Sequence, residues 1–412
     1  MPASRHFLIA LTAVACAASH AGTLVINANS ADPAPRAAWQ DVVARFEREN
    51  ADVRVEFNVY DTESYKRAIR NWLTGAPPDV VFWYAGNRMR QFLAPGLLED
   101  VSVLFTTSVR ASLHRSAIDL VSDGGRQFGV PYTYYQIGLY FRRDLLEAAG
   151  VEPPRTWSDM LRACDKLLAR GIEPIAIGTK DLWPAAAWFD YLDLRLNGLA
   201  SHMRLMRGQV SYRGDPVRGV FERWRELLDR GCFSRNHASS SWQEAQALLY
   251  DGSAAMMLIG NFIVSNFPSG VRERMDFVAF PRLRDDIGRY EDAPMNTLHI
   301  PARARNKADA RRFLAFVMRA DVQEALNKAT LQIPVNLHSA PADDRFLRRG
   351  RELLAGADGL AQYFDRDTSE DLANIAMKGF QEFMLHPERL DAILGTIERA
   401  RARIYGAAAS PH

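Results

Sequence analysis

The stretch from Gly178 to Gly198, GTKDLWPAAAWFDYLDLRLNG, concentrates residues that could hold a polar ligand with apolar faces. Lys180 and Asp181 form a charged pair just before Trp183, and Trp188, Phe189 and Tyr191 follow. A pyranose presents C–H faces and a rim of hydroxyls, so aromatic faces beside a few fixed polar groups are what it needs. Lys180, Asp181 and Trp183 are read as site residues, against the alternative of a surface ion pair of little energetic weight. Trp188, Phe189 and Tyr191 either join them or pack as the core of a buried helix.

Reaction chemistry is sparse. There is no G-x-S-x-G elbow, no H-E-x-x-H and no phosphate-cradling glycine loop. The nine histidines are scattered, and no C-x-x-C or Cys/His cluster suggests a metal. No cofactor and no metal are expected. A glycoside-active enzyme would need two carboxylates across a cleft, and the candidate loops carry aromatics and amides with Asp181 as their main acid.

The elements that must position these residues alternate. Thr23–Asn27 reads as a buried strand, followed by the polar loop Asn29-Ser30-Ala31-Asp32. A helix starts near Pro35, with Trp39, Val42, Val43 and Phe46 on one face. Val53–Val59 alternates as a strand, a helix covers Tyr65–Leu73, and Asp79–Tyr84 is a continuous apolar strand of the kind buried on both faces. This order argues an α/β fold of mostly parallel sheets flanked by helices. In such sheets ligands bind beyond the carboxyl ends of the strands, where Asn29-Ser30, Tyr60-Asp61 and Trp83 to Arg88 stand. Tyr132–Phe141 reads as one extended run, Thr156 as a helix cap with Asp159 as its partner, and Ala254–Ile259 as a buried strand ending in the loop Gly260-Asn261-Phe262. Arg303–Arg319 and most of Ala361–Arg403 read as helical. Trp39 and Trp242 lie in helical stripes and are read as core.

Bulk properties set the frame. A chain of 412 residues is long enough for two domains. Its formal charge of +2, without blocks of like charge, offers nothing to nucleic acid or an anionic membrane. Residues 1–21 read as a signal peptide: Arg5, then an apolar run from Phe7 to Ala18, then Ser19-His20-Ala21, giving a mature start at Gly22 and a periplasmic location. Lipid anchoring at Cys16 is the alternative. Cys164 and Cys232 remain after cleavage and are read as two separate buried thiols, in a compartment that would allow a disulfide.

Several segments, in order, resemble the extracellular solute-binding proteins of bacterial ABC importers, in the carbohydrate-binding, maltose-binding-protein-like group. They are PPDVVFW (Pro77–Trp83), PGLLED (Pro95–Asp100), GVPYTYY with FRRDLLEAAG (Gly129–Gly150), PPRTWSDM (Pro153–Met160), SWQEAQALLYDGSAAMMLIGNF (Ser241–Phe262) and NKADARRFLAFV (Asn306–Val317). The resemblance spans nearly the whole mature chain. It implies a two-lobed periplasmic-binding-protein fold of type II, with a hinge and a sugar cleft. By it, residues 22–133 and 299–342 form the N-terminal lobe, and 134–298 and 343–412 the C-terminal lobe. It implies a sugar ligand, closure around it, permease subunits as partners, and a monomer.

Carried over residue by residue, the resemblance implies contacts from Asn29 and Ser30, from Trp83 at the third strand's end, and from Asn87 or Arg88, where the group has an acidic residue followed by Arg. That missing acid argues against a familiar maltodextrin site. Tyr134 and Tyr135 stand at the hinge, where the group has a carboxylate; on an extended strand they point to opposite faces, so one reaches the cleft. Lys180, Asp181 and Trp183 match the second lobe's cleft loop, Asn261 and Phe262 its Gly-x-aromatic loop, and Asn296 and Thr297 the returning hinge strand. A further contact is implied around Thr368–Asn374, without a fixed register. Trp83 as strand-end core and Arg88 as a solvated helix residue are the bland alternatives. The same fold could serve a polyol or ferric iron, which some relatives hold with adjacent tyrosines, though normally in the second lobe.

Overall fold

The computed structural model describes residues 22–406. The expected signal peptide and Cys16 lie outside the described residues.

The first sheet begins with β1 (Gly22–Ala28), β2 (Val53–Val59) and β3 (Val80–Tyr84). These are joined by helices α1 (Pro33–Glu49) and α2 (Thr62–Thr74), and β1 pairs in parallel with both neighbours. α1 buries Ala38, Trp39, Val42, Val43 and Phe46, the stripe that its spacing dictates. The Asp61 side chain accepts from the Ser64 amide and caps α2. Every residue of β3 is buried, as its uninterrupted apolar run requires.

The run Tyr132–Phe141 is not one strand. It divides into β4 (Val130–Tyr134) in the first sheet and β5 (Ile137–Arg142) in the second, because the two halves bond to different partners. The second sheet continues with β6 (Glu173–Ile175), β7 (Ala254–Gly260) and β8 (Met275–Val278). The chain then returns to the first sheet as β9 (Met295–His299) and β10 (Ile333–Pro334). The orders are β10-β4-β9-β3-β1-β2 and β8-β5-β7-β6. Since β9 pairs with β3 and β4 from Met295 onward, the return precedes the expected boundary at residue 299.

Both sheets are mixed, where mostly parallel ones were expected. β9 and β10 run against the rest of the first sheet, and β5 against the rest of the second. β5 and β9 each enter their sheet straight from the hinge, without the crossover helix that a parallel neighbour needs, whereas β10 follows the helix Ala320–Thr330.

Each sheet carries its own large apolar cluster. Trp188, Phe189 and Tyr191 belong to the second, packed against Phe280, Phe364 and Phe380, so they are core and not cleft. Cys164, in the helix Trp157–Leu168, is bonded to Cys232, which corrects the reading of two separate thiols. They stand 68 residues apart, and only the packing of that helix beside the chain after Asp229 brings them together. Among the described residues no helix is long and apolar enough to cross a membrane.

Candidate ligand-binding cleft

A cavity of about 180 Å³ lies where the carboxyl ends of β1, β3 and β7 meet the hinge. Its two walls differ in chemistry.

The first sheet supplies the polar wall. Asn29 and Ser30 follow β1; Asp32 and Pro35 open α1; Thr62, Glu63 and Lys66 lie in the first turns of α2; Tyr84 ends β3. Asn29 Nδ2 donates to the Tyr84 hydroxyl over 3.3 Å, and Lys66 Nζ to Glu63 over 3.0 Å. Burial pushes the Asp32 carboxyl above the usual range. The buried Ser30 Oγ has no partner among the described residues.

The second sheet supplies the aromatic wall. Trp183 opens α3 (Trp183–Met206), Trp242 opens α4 (Trp242–Asp251), and Phe262 follows β7. Tyr135 joins them from the hinge and Tyr363 from the C-terminal part of the chain. Trp183 has Trp242 at 6.2 Å, Phe262 at 6.3 Å and Tyr363 at 6.1 Å between ring centres, all tilted or edge-on, so the rings hold one another in place. The Tyr363 hydroxyl donates to the Trp183 carbonyl over 2.7 Å. Leu182, just before Trp183, takes φ 66°, a conformation that side-chain-bearing residues rarely adopt and that turns the chain into the cleft.

A charged layer closes the floor. The short helix α5 (Phe364–Asp367) offers Asp365 and Arg366. Arg366 donates to the Tyr135 hydroxyl (3.0 Å), the Met295 carbonyl (3.2 Å) and Asn296 Oδ1 (3.4 Å), and lies 4.1 Å from the Tyr84 ring centre. Arg88 pairs with Asp365 at 3.3 Å and with Glu370 at 3.5 Å. α5 is held from behind: Asp190 Oδ2 accepts from the Phe364 amide and Asp367 Oδ2 from the Gln362 amide. Burial raises both carboxyls, with neighbouring carboxylates adding to the effect at Asp190.

Of the residues singled out in the sequence, Asn29, Ser30, Tyr135, Trp183, Phe262 and Asn296 line this cavity. The others do not. Trp83 points the other way from Tyr84, is 2% exposed, packs on Phe92 and donates through Nε1 to the Arg88 carbonyl; successive side chains of a strand face opposite sides, and it is Tyr84 that faces the ligand space. Arg88 is buried one layer back, positioning Asp365. Asn87 and Tyr134 line a separate cavity of about 1020 Å³ on the other side of the hinge strands, and Asn87 donates to the Asp367 carbonyl. Lys180 is exposed and Asp181 half-buried in the turn before α3, outside the cavity. Asn261 turns its amide to the Leu331 carbonyl at 3.0 Å and ties the hinge. Thr297 is buried against His299.

Sequence reasoning missed Trp39 and Trp242, read as core, and also Tyr84, Tyr132, Lys66, Asp365 and Arg366. The two tryptophans are indeed mostly buried, at 2% and 9% exposure, but both sit at the cleft end of their stripes. The contact looked for around Thr368–Asn374 comes instead from Tyr363, Asp365 and Arg366.

Two α/β sheets joined by a hinge over a mixed aromatic and polar cleft define a two-lobed solute-binding protein. Residues 30–324 match the bacterial extracellular solute-binding protein family, and the chain belongs to it. Among solved structures it is similar to the bacterial solute receptor AcbH, described as having an exclusive preference for β-D-galactopyranose, with 27% identity, a TM-score of 0.89, and coverage of 93% of this chain and 100% of that one. A chitin oligosaccharide binding protein shares the fold at 19% identity and a TM-score of 0.83, over 93% of this chain and 99% of that one. In sequence it is 24% identical to an uncharacterized ABC transporter extracellular-binding protein of Pyrococcus horikoshii, over 74% of this chain and 70% of that one. It is also 24% identical to the alpha-glucosides-binding periplasmic protein AglE of Rhizobium meliloti, over 55% and 54% of the two chains.

Proposed function

We propose that this chain captures a sugar in the interlobe cleft and delivers it to the membrane permease of an ABC importer. The observation that carries this reading is the pairing of an aromatic wall (Trp183, Trp242, Phe262) with a wall of amides, hydroxyls and paired charges across one cavity. A sugar binds such a site by its C–H face on one side and its hydroxyls on the other. The similarity to AcbH and AglE supports it.

We assign the first lobe to residues 22–134 and 295–336, and the second to 137–292 and 345–406, joined at the segments between them. A ligand touching both walls binds the closed arrangement better, and that difference in affinity drives closure. The protein acts in the periplasm, as a monomer, without turning its ligand over. Glu63 and Asp365 each carry a cationic partner, which suits hydrogen-bond acceptors. A two-tyrosine iron site is not favoured, because Tyr134 and Tyr135 line different cavities.

The test is a thermal-shift screen of the purified protein against sugars and polyols, with ferric citrate and a polyamine alongside. Specific binding to the folded form raises the midpoint by mass action. A clear shift with a sugar supports the reading; a shift with ferric citrate alone, or with no sugar, overturns it.

A further inference from the structure

We propose that the ligand is a single uncharged pyranose ring, and that the cleft rejects both longer saccharides and sugar acids. This rests on the sugar reading and narrows it. Size comes first. Water takes roughly 30 Å³ apiece in the liquid, so the 180 Å³ of the cleft corresponds to on the order of six waters. A hexose has twelve heavy atoms and a disaccharide nearly twice that number. Pockets for larger, drug-sized ligands run from about 300 Å³ upward.

Charge comes second. Lys66 is already on Glu63, and Asp365 is already on Arg88. Arg366 donates to two carbonyl oxygens and a phenol and lies over the Tyr84 ring. Among the described residues lining the cleft, Lys66 and Arg366 both face partners of their own. A uronate would therefore bury its carboxylate beside Glu63 and Asp365 with no free counter-charge, which is costly.

Hydrogen bonding comes third. The Ser30 hydroxyl is buried at the cavity with no partner among the described residues, an unusual state for a buried polar group. A sugar hydroxyl supplies the missing bond. Aromatic rings stand on both walls, Trp183, Trp242 and Phe262 on one and Trp39, Tyr84 and Tyr132 on the other, and Ser30, Asn29 and Asp365 meet the hydroxyl rim between them.

The experiment is titration calorimetry of the purified protein with D-glucose, D-galactose, D-mannose and D-xylose, with maltose, lactose and cellobiose, and with D-glucuronate and D-galacturonate. One monosaccharide should bind at least 100-fold more tightly than any disaccharide containing it and than its uronate. A disaccharide that binds as tightly as its monosaccharide overturns the single-ring claim, and a uronate that binds more tightly than its parent sugar overturns the uncharged claim. Either result leaves the sugar-binding function standing, whereas silence across the whole panel removes the function and this inference together. Ser30→Ala is the companion variant. It should bind the preferred sugar several-fold more weakly while the unliganded protein melts at the wild-type temperature or above, because no protein bond is lost. Unchanged affinity in that variant overturns the assignment of Ser30 to the ligand.

Discussion

Gly260→Ala isolates one physical term at the cleft. Gly260 ends β7 at φ −73° and ψ 156°, which alanine adopts without strain, so any effect is one of space. A Cβ there would overlap Phe262 Cε1 and sit 2.7 Å from Phe262 Cδ1 and 2.9 Å from Tyr135 Cε2. Carbon atoms pack at about 3.5–4.0 Å, so the Phe262 ring must retreat by roughly 1 Å and the Tyr135 ring by roughly 0.6 Å, and both line the cavity. Tyr135 cannot swing freely, because its hydroxyl receives a bond from Arg366 and its ring packs edge-on against Phe262 at 5.4 Å. Overpacking costs about 1–3 kcal/mol. The smaller entropy of the unfolded alanine chain returns about 0.4–1 kcal/mol, leaving a net loss of up to about 2.5 kcal/mol. Displaced rings no longer match the ligand face, and affinity for the best sugar should fall at least about tenfold, about 1.4 kcal/mol. Denaturant melts measure the first effect and titration calorimetry the second. Gly219→Ala is the control. It lies within the helix Asp215–Asp229 with nothing within 4 Å of the added carbon, and should gain about 0.5–1 kcal/mol of stability with unchanged binding. Wild-type affinity in Gly260→Ala would refute the assignment of Tyr135 and Phe262 to the ligand wall.

Three further outcomes are expected. Trp183→Ala should weaken sugar binding by about 1–3 kcal/mol, as for a buried aromatic anchor; an unchanged dissociation constant in calorimetry would remove Trp183 from the site. His299 is buried between Thr297 and the Phe128 carbonyl, and burial pulls its pKa from 6.5 down to about 4. The unfolded chain therefore takes up the proton first, so this stability is complete above pH 6.5 and is lost as pH falls toward 4, by about 3 kcal/mol. Melts between pH 7 and 4 should show a shallower decline in His299→Gln, and equal slopes would count against the buried neutral ring. Reducing the Cys164–Cys232 bond frees a loop spanning 68 residues, which chain entropy values at about 4 kcal/mol; a melting temperature indifferent to dithiothreitol would argue that the bond is not formed.

The strand and helix order of the first lobe was legible because its signals are local. The alternation of Val53–Val59, the cap at Asp61 and the apolar stripe of α1 each act within a few residues. The ordered motifs likewise sufficed for the family, which a match over residues 30–324 confirms. The loops after β1 and β7 could be placed at the cleft because strand ends carry sites in such sheets.

Which side chain of each loop enters the cleft was not legible. In Val80–Tyr84 every residue is apolar and buried, so no polar partner reveals the parity, and only the pairing of β3 with β1 and β9 turns Tyr84 inward and Trp83 away. Trp39 and Trp242 satisfy a helical stripe equally well as core or as cleft, since one buried face serves both. Asp365 and Arg366 reach the floor only because α5 packs back against α3 and the hinge, more than 200 residues from Tyr135. The sequence by itself determined the elements, their order and the family, all set by short-range pattern. Tertiary structure alone decided the facing of each aromatic, the disulfide and the charge pairs of the cleft, because these depend on the register between segments that the chain brings together only on folding.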